Sequence, residues 1–387
     1  MIMRAYKNLS FLLVSSFFMQ MLTGVVGISV PIYAANMGAS PMLLGVIGAT
    51  GGLIYSFMPF VSGILSDKFK RKIFIFTSTF LYGSSCIFYM FAENPYMLIP
   101  IKAFEWFSVA LFWPSAEALL TEVNESELEE ILRKFNLSWG SAVIIGPMIG
   151  GSLISTLGIQ MKAPFLLSSV ISFSLSLLSI VMIREPPKSR RDREDHASKL
   201  DEKNINHTLT AIASIFLFAL VGGIVISLFP AYAVNLGIQA YEIGLILLIN
   251  GLFRLVAFFE AYNIESRIGK TYTFITGSLI LSLASAMVVV SSTTPTFSMS
   301  LSLLGFGMGM LYAASIKVIF KSWSSSRGYA AGILESLIGV GYFLGPLAGG
   351  VVAEYFQSAP YILCSLVSIA IGLSQIIYRR RVKKENS

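Results

Sequence analysis

Residues 146–151 read GPMIGG and residues 345–350 read GPLAGG, so one glycine-proline signature occurs twice at an offset of 199. The same offset carries Pro31, Tyr33, Ala34, Asn36, Gly38 and Gly45 onto Pro230, Tyr232, Ala233, Asn235, Gly237 and Gly244. Ala163, Pro164 and Phe165 are echoed by Ala359, Pro360 and Tyr361. The chain is a duplicated unit, and each copy must solve the same packing problem while the two copies meet at an interface.

What surrounds the repeat is apolar. Hydrophobic residues make up 55% of the chain and charged residues 13%, with a mean hydropathy of +0.73; a soluble domain carries about 25% charged residues. Twelve apolar runs, each long enough to cross a hydrocarbon core of roughly 30 Å as helix, cover about 9–35, 41–64, 72–92, 96–120, 135–157, 163–183, 208–235, 241–262, 271–292, 296–320, 329–354 and 359–378. Lipid offers backbone groups no hydrogen-bond partner, and the runs are too long and too uniformly apolar for barrel strands. The expected fold is an all-α integral membrane protein of twelve transmembrane helices in two pseudo-symmetric six-helix bundles, 1–183 and 208–387. The first run leads straight into the second without a small-residue cleavage site, which reads as a retained span.

Basic residues collect in alternate loops and both tails: Arg4 and Lys7, the cluster at 68–72, Arg133 and Lys134, the segment 184–207, Arg267 and Lys270, Lys321 and Arg327, and the tail from Arg379 to Lys384. The exceptions are Lys162 and the intramembrane Lys102, Arg254 and Lys317. This is the positive-inside pattern, and it places both termini in the cytoplasm and the protein in the cell membrane. The net charge of +7 then reports topology and contact with anionic lipid, not nucleic-acid binding. Between the bundles, REPPKSRRDREDHASKLDEKNINH (184–207) mixes charge and proline and reads as a cytoplasmic linker. Cys86 and Cys364 fall in different spans, and His196 and His207 in the linker, so neither a disulfide framework nor a metal site is indicated, and no cofactor is called for.

Between spans 2 and 3 the chain reads GILSDKFKRK, with Gly63, Asp67, Lys68, Arg71 and Lys72. Here it resembles the major facilitator superfamily, whose hallmark loop sets a glycine, an aspartate four residues later and then a basic cluster; Lys70 stands where that family has a further glycine. Physically, Asp67 can receive backbone N–H groups at a neighbouring helix N-terminus, and Arg71 can pair with an acid at the end of span 4, Glu122 being the expected partner. The matching loop of the second half, ESRIGK, retains Gly269 but has Ser266 in place of the acid, with Glu265 beside it. Gly269, Lys270 and Thr271 also form a fragment of a phosphate-binding loop, but Ile264 occupies the position of its first glycine. This leaves no ATP site, so any pumping would draw on an ion or solute gradient.

In span 5, Gly146 and Gly150 lie one turn apart and allow close backbone approach, while Pro147 removes a helical hydrogen bond and is expected to bend the helix. Gly345, Pro346 and Gly349 repeat the device in span 11. The superfamily's antiporter signature in span 5 has two earlier glycines where this chain has Arg133 and Ala142; the full spacing, beginning at Gly332 and Gly341, occurs in span 11 instead.

Span 4 carries the densest charge, LIPIKAFEWFSVALFWPSAEALLTE. Lys102 and Glu105 share one helical face, and an acid beside a cation is suited to proton coupling. The offset of 200 sets Glu117 opposite Lys317; in the superfamily that the chain resembles, spans 4 and 10 approach each other near the cytoplasmic side when the cavity faces outward, so the resemblance implies an inter-half cytoplasmic gate. Arg254 in span 8 and Glu335 in span 11 can hold a substrate of opposite charge or pair with each other. Trp106, Phe112, Trp113 and Tyr312 are candidates for the cavity wall.

The resemblance implies a non-enzymatic secondary transporter that moves a small organic solute by alternating access, with spans 1, 4, 7 and 10 facing the cavity. Expected partners are a small-molecule substrate, protons or another coupling ion, and membrane lipid; a monomer is expected. Proton-coupled efflux of amphipathic compounds is the leading function. The alternatives are proton-coupled uptake of a sugar or small organic acid and, last, a non-transporting membrane receptor or scaffold.

Overall fold

The computed structural model describes residues 2–120, 125–157, 162–183, 205–322 and 327–385. Its helices are α1 (Ile2–Asn36), α2 (Pro41–Lys68), α3 (Arg71–Met90), α4 (Leu98–Leu120), α5 (Glu125–Leu157), α6 (Lys162–Met182), α7 (Ile205–Ser227), α8 (Phe229–Asn235), α9 (Ala240–Ile268), α10 (Lys270–Val290), α11 (Thr294–Ser322), α12 (Arg327–Ala353) and α13 (Ala359–Glu385). No strand occurs among the described residues, and twelve helical segments are long and apolar enough to cross a membrane. Most of 184–207 lies outside the described residues.

One boundary departs from expectation. The seventh span is interrupted at Leu228, so α7 and α8 together form it. Pro230 sits in the first turn of α8, where its missing N–H costs nothing. The repeat-equivalent Pro31 lies inside an unbroken α1. Pro147 and Pro346 likewise lie inside continuous helices, α5 and α12.

Successive spans run antiparallel, so the bundle has an end that carries both termini and a far end. Small residues and short hydroxyls join the helices, as expected where apolar side chains gain nothing by leaving lipid. Ser62 Oγ donates to Ala110 O at 2.6 Å, Ser78 Oγ to Ser108 O at 2.7 Å and Ser172 Oγ to Thr79 O at 2.7 Å, tying α2 to α4, α3 to α4 and α3 to α6. In the second half Ser282 and Ser365 share a 2.9 Å bond between α10 and α13.

The two halves meet along two seams, α2 against α12 and α5 against α9. The glycine signature builds both. Gly146 and Gly150 face α1, where an added Cβ would come within 2.5 Å of Met21 O and 2.8 Å of Val25 O. Gly345 and Gly349 face α7 in the same way, against Leu220 and against Ile224 and Leu228. The last glycine of each signature turns to the opposite half: Gly151 abuts Ala240 and Gly244, and Gly350 abuts Pro41 and Gly45. Gly45 and Gly244 are themselves repeat equivalents, so the repeated residues meet one another across a pseudo-twofold. These approaches crowd toward the far end. Toward the termini they relax: a Cβ at Gly332 would touch Phe60 only at 3.7 Å, and one at Gly140 would meet nothing within 4 Å.

Candidate functional site

Behind the closed far end, α1, α2, α4, α7 and α12 enclose a small cavity of about 30 Å³ whose wall includes Pro31, Gly48, Lys102, Trp106, Ser227 and Tyr342. That volume holds a water or two and no organic solute. Lys102 is the charged side chain on its wall.

Lys102 and Glu105 form the ion pair that their spacing suggests. The ammonium lies 3.1 Å from Oε1 and 2.9 Å from Oε2, and the two side chains are 9% and 0% exposed. A partner not legible in the sequence completes the site: Tyr89 Oη on α3 donates to Glu105 Oε2 at 2.7 Å. A buried carboxylate demands such company, because an ion left unpaired in a low-dielectric interior is strongly destabilising. Trp106 flanks the pair, with the Lys102 ammonium 5.8 Å from its ring centre. Its ring packs edge-on against Tyr55 at 5.3 Å and reaches the other half at Tyr342, 6.0 Å away. Trp106 therefore stands on the wall of this small cavity.

Glu117 lies twelve residues beyond Glu105 on α4, about 18 Å along the axis at 1.5 Å per residue. It is exposed although it lies inside a membrane-spanning run. Glu335 of α12 and the hydroxyls of Tyr55 and Tyr312 lie within electrostatic range of it. The Tyr55 hydroxyl lies close to Glu335. Arg254 does not pair with Glu335: it donates from Nη2 to Asn250 Oδ1 at 3.1 Å, its Nε has no partner, and it lies near Tyr312 and Tyr342. The open side of the bundle thus presents two carboxylates, one from each half, a guanidinium and several tyrosines.

Several sequence expectations take a different form. Glu117 and Lys317 are not paired in this conformation; Lys317 binds Glu265 Oε1 at 3.0 Å within its own half, while Glu117 faces Glu335. In the register of 199 that relates the two halves, Glu117 corresponds to Ile316, so Lys317 stands one residue, about 100° of helix, away from the equivalent position. Trp113 packs against Phe112 at 5.3 Å and Phe135 of α5 at 6.0 Å, and Phe112 is fully buried, so both serve packing within the first half. Tyr312 stacks between Phe218 at 4.9 Å and Phe258 at 5.2 Å.

Where α2 meets α3, the side chains of Asp67 and Lys68 in the last turn of α2 lie outside the described residues, as does the whole of Glu122 beyond α4. Arg71 donates from Nη1 to Ala118 O at 3.2 Å, near the C-terminus of α4, and Lys72 donates from Nζ to Ile180 O, near the C-terminus of α6. Two cations in the first turn of α3 oppose that helix's own dipole, yet they reach the carbonyl ends of its two antiparallel neighbours, where positive charge is favourable. Gly63 is not sterically required here, since a Cβ would meet only Pro114 at 3.9 Å.

This architecture has known counterparts. The solved nucleoside transporter NupG superposes with a TM-score of 0.76 at 15% identity, covering 96% of this chain and 98% of that one. A bacterial homologue of the human lysosomal transporter Spinster, in an inward-facing and occupied conformation, superposes with a TM-score of 0.76 at 14% identity, covering 97% and 95%. An uncharacterized MFS-type transporter of Methanocaldococcus jannaschii is 23% identical over 377 residues, 95% of this chain and 97% of the relative. The quinolone resistance protein NorA of Staphylococcus aureus is 23% identical over 372 residues, 92% and 93% of the two chains. The sequence profile of the Major Facilitator Superfamily matches residues 12–259 and 211–387. The chain is therefore a multi-pass membrane transporter belonging to the Major Facilitator Superfamily, a carrier of small molecules and not an enzyme.

Proposed function

We propose that this transporter is a proton-coupled exporter of amphipathic organic compounds, resident as a monomer in the cell membrane with both termini in the cytoplasm. The observation that carries the reading is the placement of two acids on α4. Glu105 is sealed behind the closed far end beside Lys102, and Glu117, about 18 Å away, is exposed on the open side. A carrier that exchanges protons for solute needs an acid that one solution reaches in each state. With the termini cytoplasmic, the present conformation faces inward, Glu117 and Glu335 meet the cytoplasm, and the Lys102–Glu105 pair awaits the outer solution. Rocking of 1–183 against 208–387 about the glycine seams exchanges the two.

Aromatic side chains from both halves, Tyr55, Trp106 and Tyr342, suit a flat, partly apolar solute, and the carboxylates Glu117 and Glu335 suit one that carries positive charge. The similarity to the quinolone resistance protein NorA supports the export direction. Glu117 and Lys317 remain candidates for a gate that closes the cytoplasmic side in the opposite state, when the second half brings Lys317 inward.

The test is purified protein in liposomes, screened against a panel of amphipathic amines, sugars and organic acids with and without an imposed pH gradient. Movement of amphipathic compounds against an opposing proton flow is the expected result. Accumulation of a sugar or acid along an inward proton gradient would replace export by uptake, and no movement of any solute would remove the reading.

A further inference from the structure

The far end is closed by more than glycine contact. In α2 the N-cap is Ser40; its side chain accepts from Leu43 N and its carbonyl from Leu44 N, while Pro41 has no N–H to satisfy. Met42 N is left over, one of the orphan donors that every helix N-terminus carries. Its partner comes from the other half: Met42 N donates to Glu354 Oε1, just past the end of α12, at 2.8 Å. At the other seam, α9 begins after Gln239, and Tyr241 N is the corresponding orphan. Tyr241 N donates to Ser155 Oγ near the end of α5, at 2.9 Å. The repeat offset carries Met42 onto Tyr241 and Ser155 onto Glu354, so the same two positions form the same bond twice, on opposite sides of the molecule.

We infer that these two bonds are a far-end latch, that Glu354 is its stronger arm, and that together they set the balance between the state seen here and the state open at the far end. Both bonds join opposite halves, so both must break when the seams part. A carboxylate on a helix N-terminus gains from charge-assisted hydrogen bonding and from the helix dipole, whereas a hydroxyl has neither gain. The latch is therefore lopsided by chemistry although symmetric in position. This inference goes beyond the proposed function, since it holds whatever solute or ion is carried.

The experiment uses the full chain in lipid nanodiscs, with spin labels on Y96C and S292C. Tyr96 and Ser292 are exposed residues at the far ends of the first and second halves, and Cys86 and Cys364 are buried. Pulsed-dipolar distances then report the ratio of far-end-open to far-end-closed molecules without any substrate. E354A is expected to raise that ratio about fivefold or more, and S155A and E354Q about twofold, since each removes less of the interaction. S155E, which places a carboxylate at the second orphan donor, is expected to lower the ratio and to reverse the effect of E354A. An unchanged ratio in E354A overturns the latch. Should E354A not yield folded protein, an unchanged or raised ratio in S155E alone overturns it equally.

Discussion

The helix pair α2 and α4 in the first half and its repeat equivalent, α9 and α11 in the second, are packed by the same positions with their roles exchanged. In the first half Gly51 lies beneath the indole of Trp106, where an added Cβ would come within 2.7 Å of the ring. In the second half the small and large partners swap. Gly305, equivalent to Trp106, lies against Asn250, equivalent to Gly51. Charge moves in the same sense. Lys102 and Glu105 on α4 correspond to Leu301 and Leu304 on α11, both fully buried, while Tyr55 on α2 corresponds to Arg254 on α9. Each crossing keeps one small and one larger partner, but not the same chemistry. The duplication therefore supplies a symmetric frame, and the groups that can bind or titrate stand where the two copies differ.

If the ion pair serves transport and not folding, giving the first half the residues of the second should separate those properties. Lys102→Leu alone leaves Glu105 buried without its cation and should cost about 3–5 kcal/mol of stability, read as a fall in thermal unfolding temperature in detergent. The double change Lys102→Leu with Glu105→Leu should recover that loss, because a well-packed apolar pair replaces a buried ion pair at little or no cost. Gradient-driven transport should stay lost in both. A double variant as unstable as the single one would mean that the site cannot repack.

The glycine exchange predicts a smaller and lopsided effect. Gly305→Ala would drive a methyl into the backbone carbonyl of Asn250, which cannot move without shifting α9, and should cost about 1–3 kcal/mol. Gly51→Ala meets the Trp106 side chain, which has some freedom to tilt, and should cost less. Equal costs would show that the Trp106 ring is held as rigidly as a backbone.

Lys317→Ala should matter least to folding. Its partner Glu265 is 18% exposed and Lys317 itself 54% exposed, and pairs that wet contribute under about 1 kcal/mol. A large stability loss would assign Lys317 a structural role beyond that pair.

The twelve spans and the repeat were legible because lipid imposes length and apolarity on every crossing segment, and because glycine and proline mark backbone contacts directly. The pairing of Lys102 with Glu105 was legible because three residues separate them on one helix. Partners supplied by a different helix were not. Tyr89 joins Glu105 from the preceding span, and nothing in its surroundings distinguishes it from other buried tyrosines. Arg71 and Lys72 find backbone carbonyls, which no side-chain pattern records. The interruption at Leu228 illustrates the same limit from the other direction. Pro31 and Pro230 occupy equivalent positions in the repeat, yet only the second begins a new helix, because packing around a proline decides whether the helix continues through it or restarts. Glu117 and Lys317 looked complementary at an offset of 200, but the register of 199 kept by the two halves sets Glu117 against Ile316, and alignment in a duplication does not bring positions into contact.

In the proposed function Glu105 is the acid that the far solution reaches in the other state, and the proposed coupling rests on it. Glu105→Gln keeps the shape and one acceptor oxygen while removing the charge that a proton would neutralise. In liposomes loaded with a fluorescent amphipathic dye, two rates can be compared: downhill exchange without a gradient, and uphill accumulation under an imposed pH gradient. The expected result is that Glu105→Gln retains exchange and loses gradient-driven accumulation. Accumulation equal to that of the unaltered protein would contradict the assignment and leave the Lys102–Glu105 pair as a structural element alone.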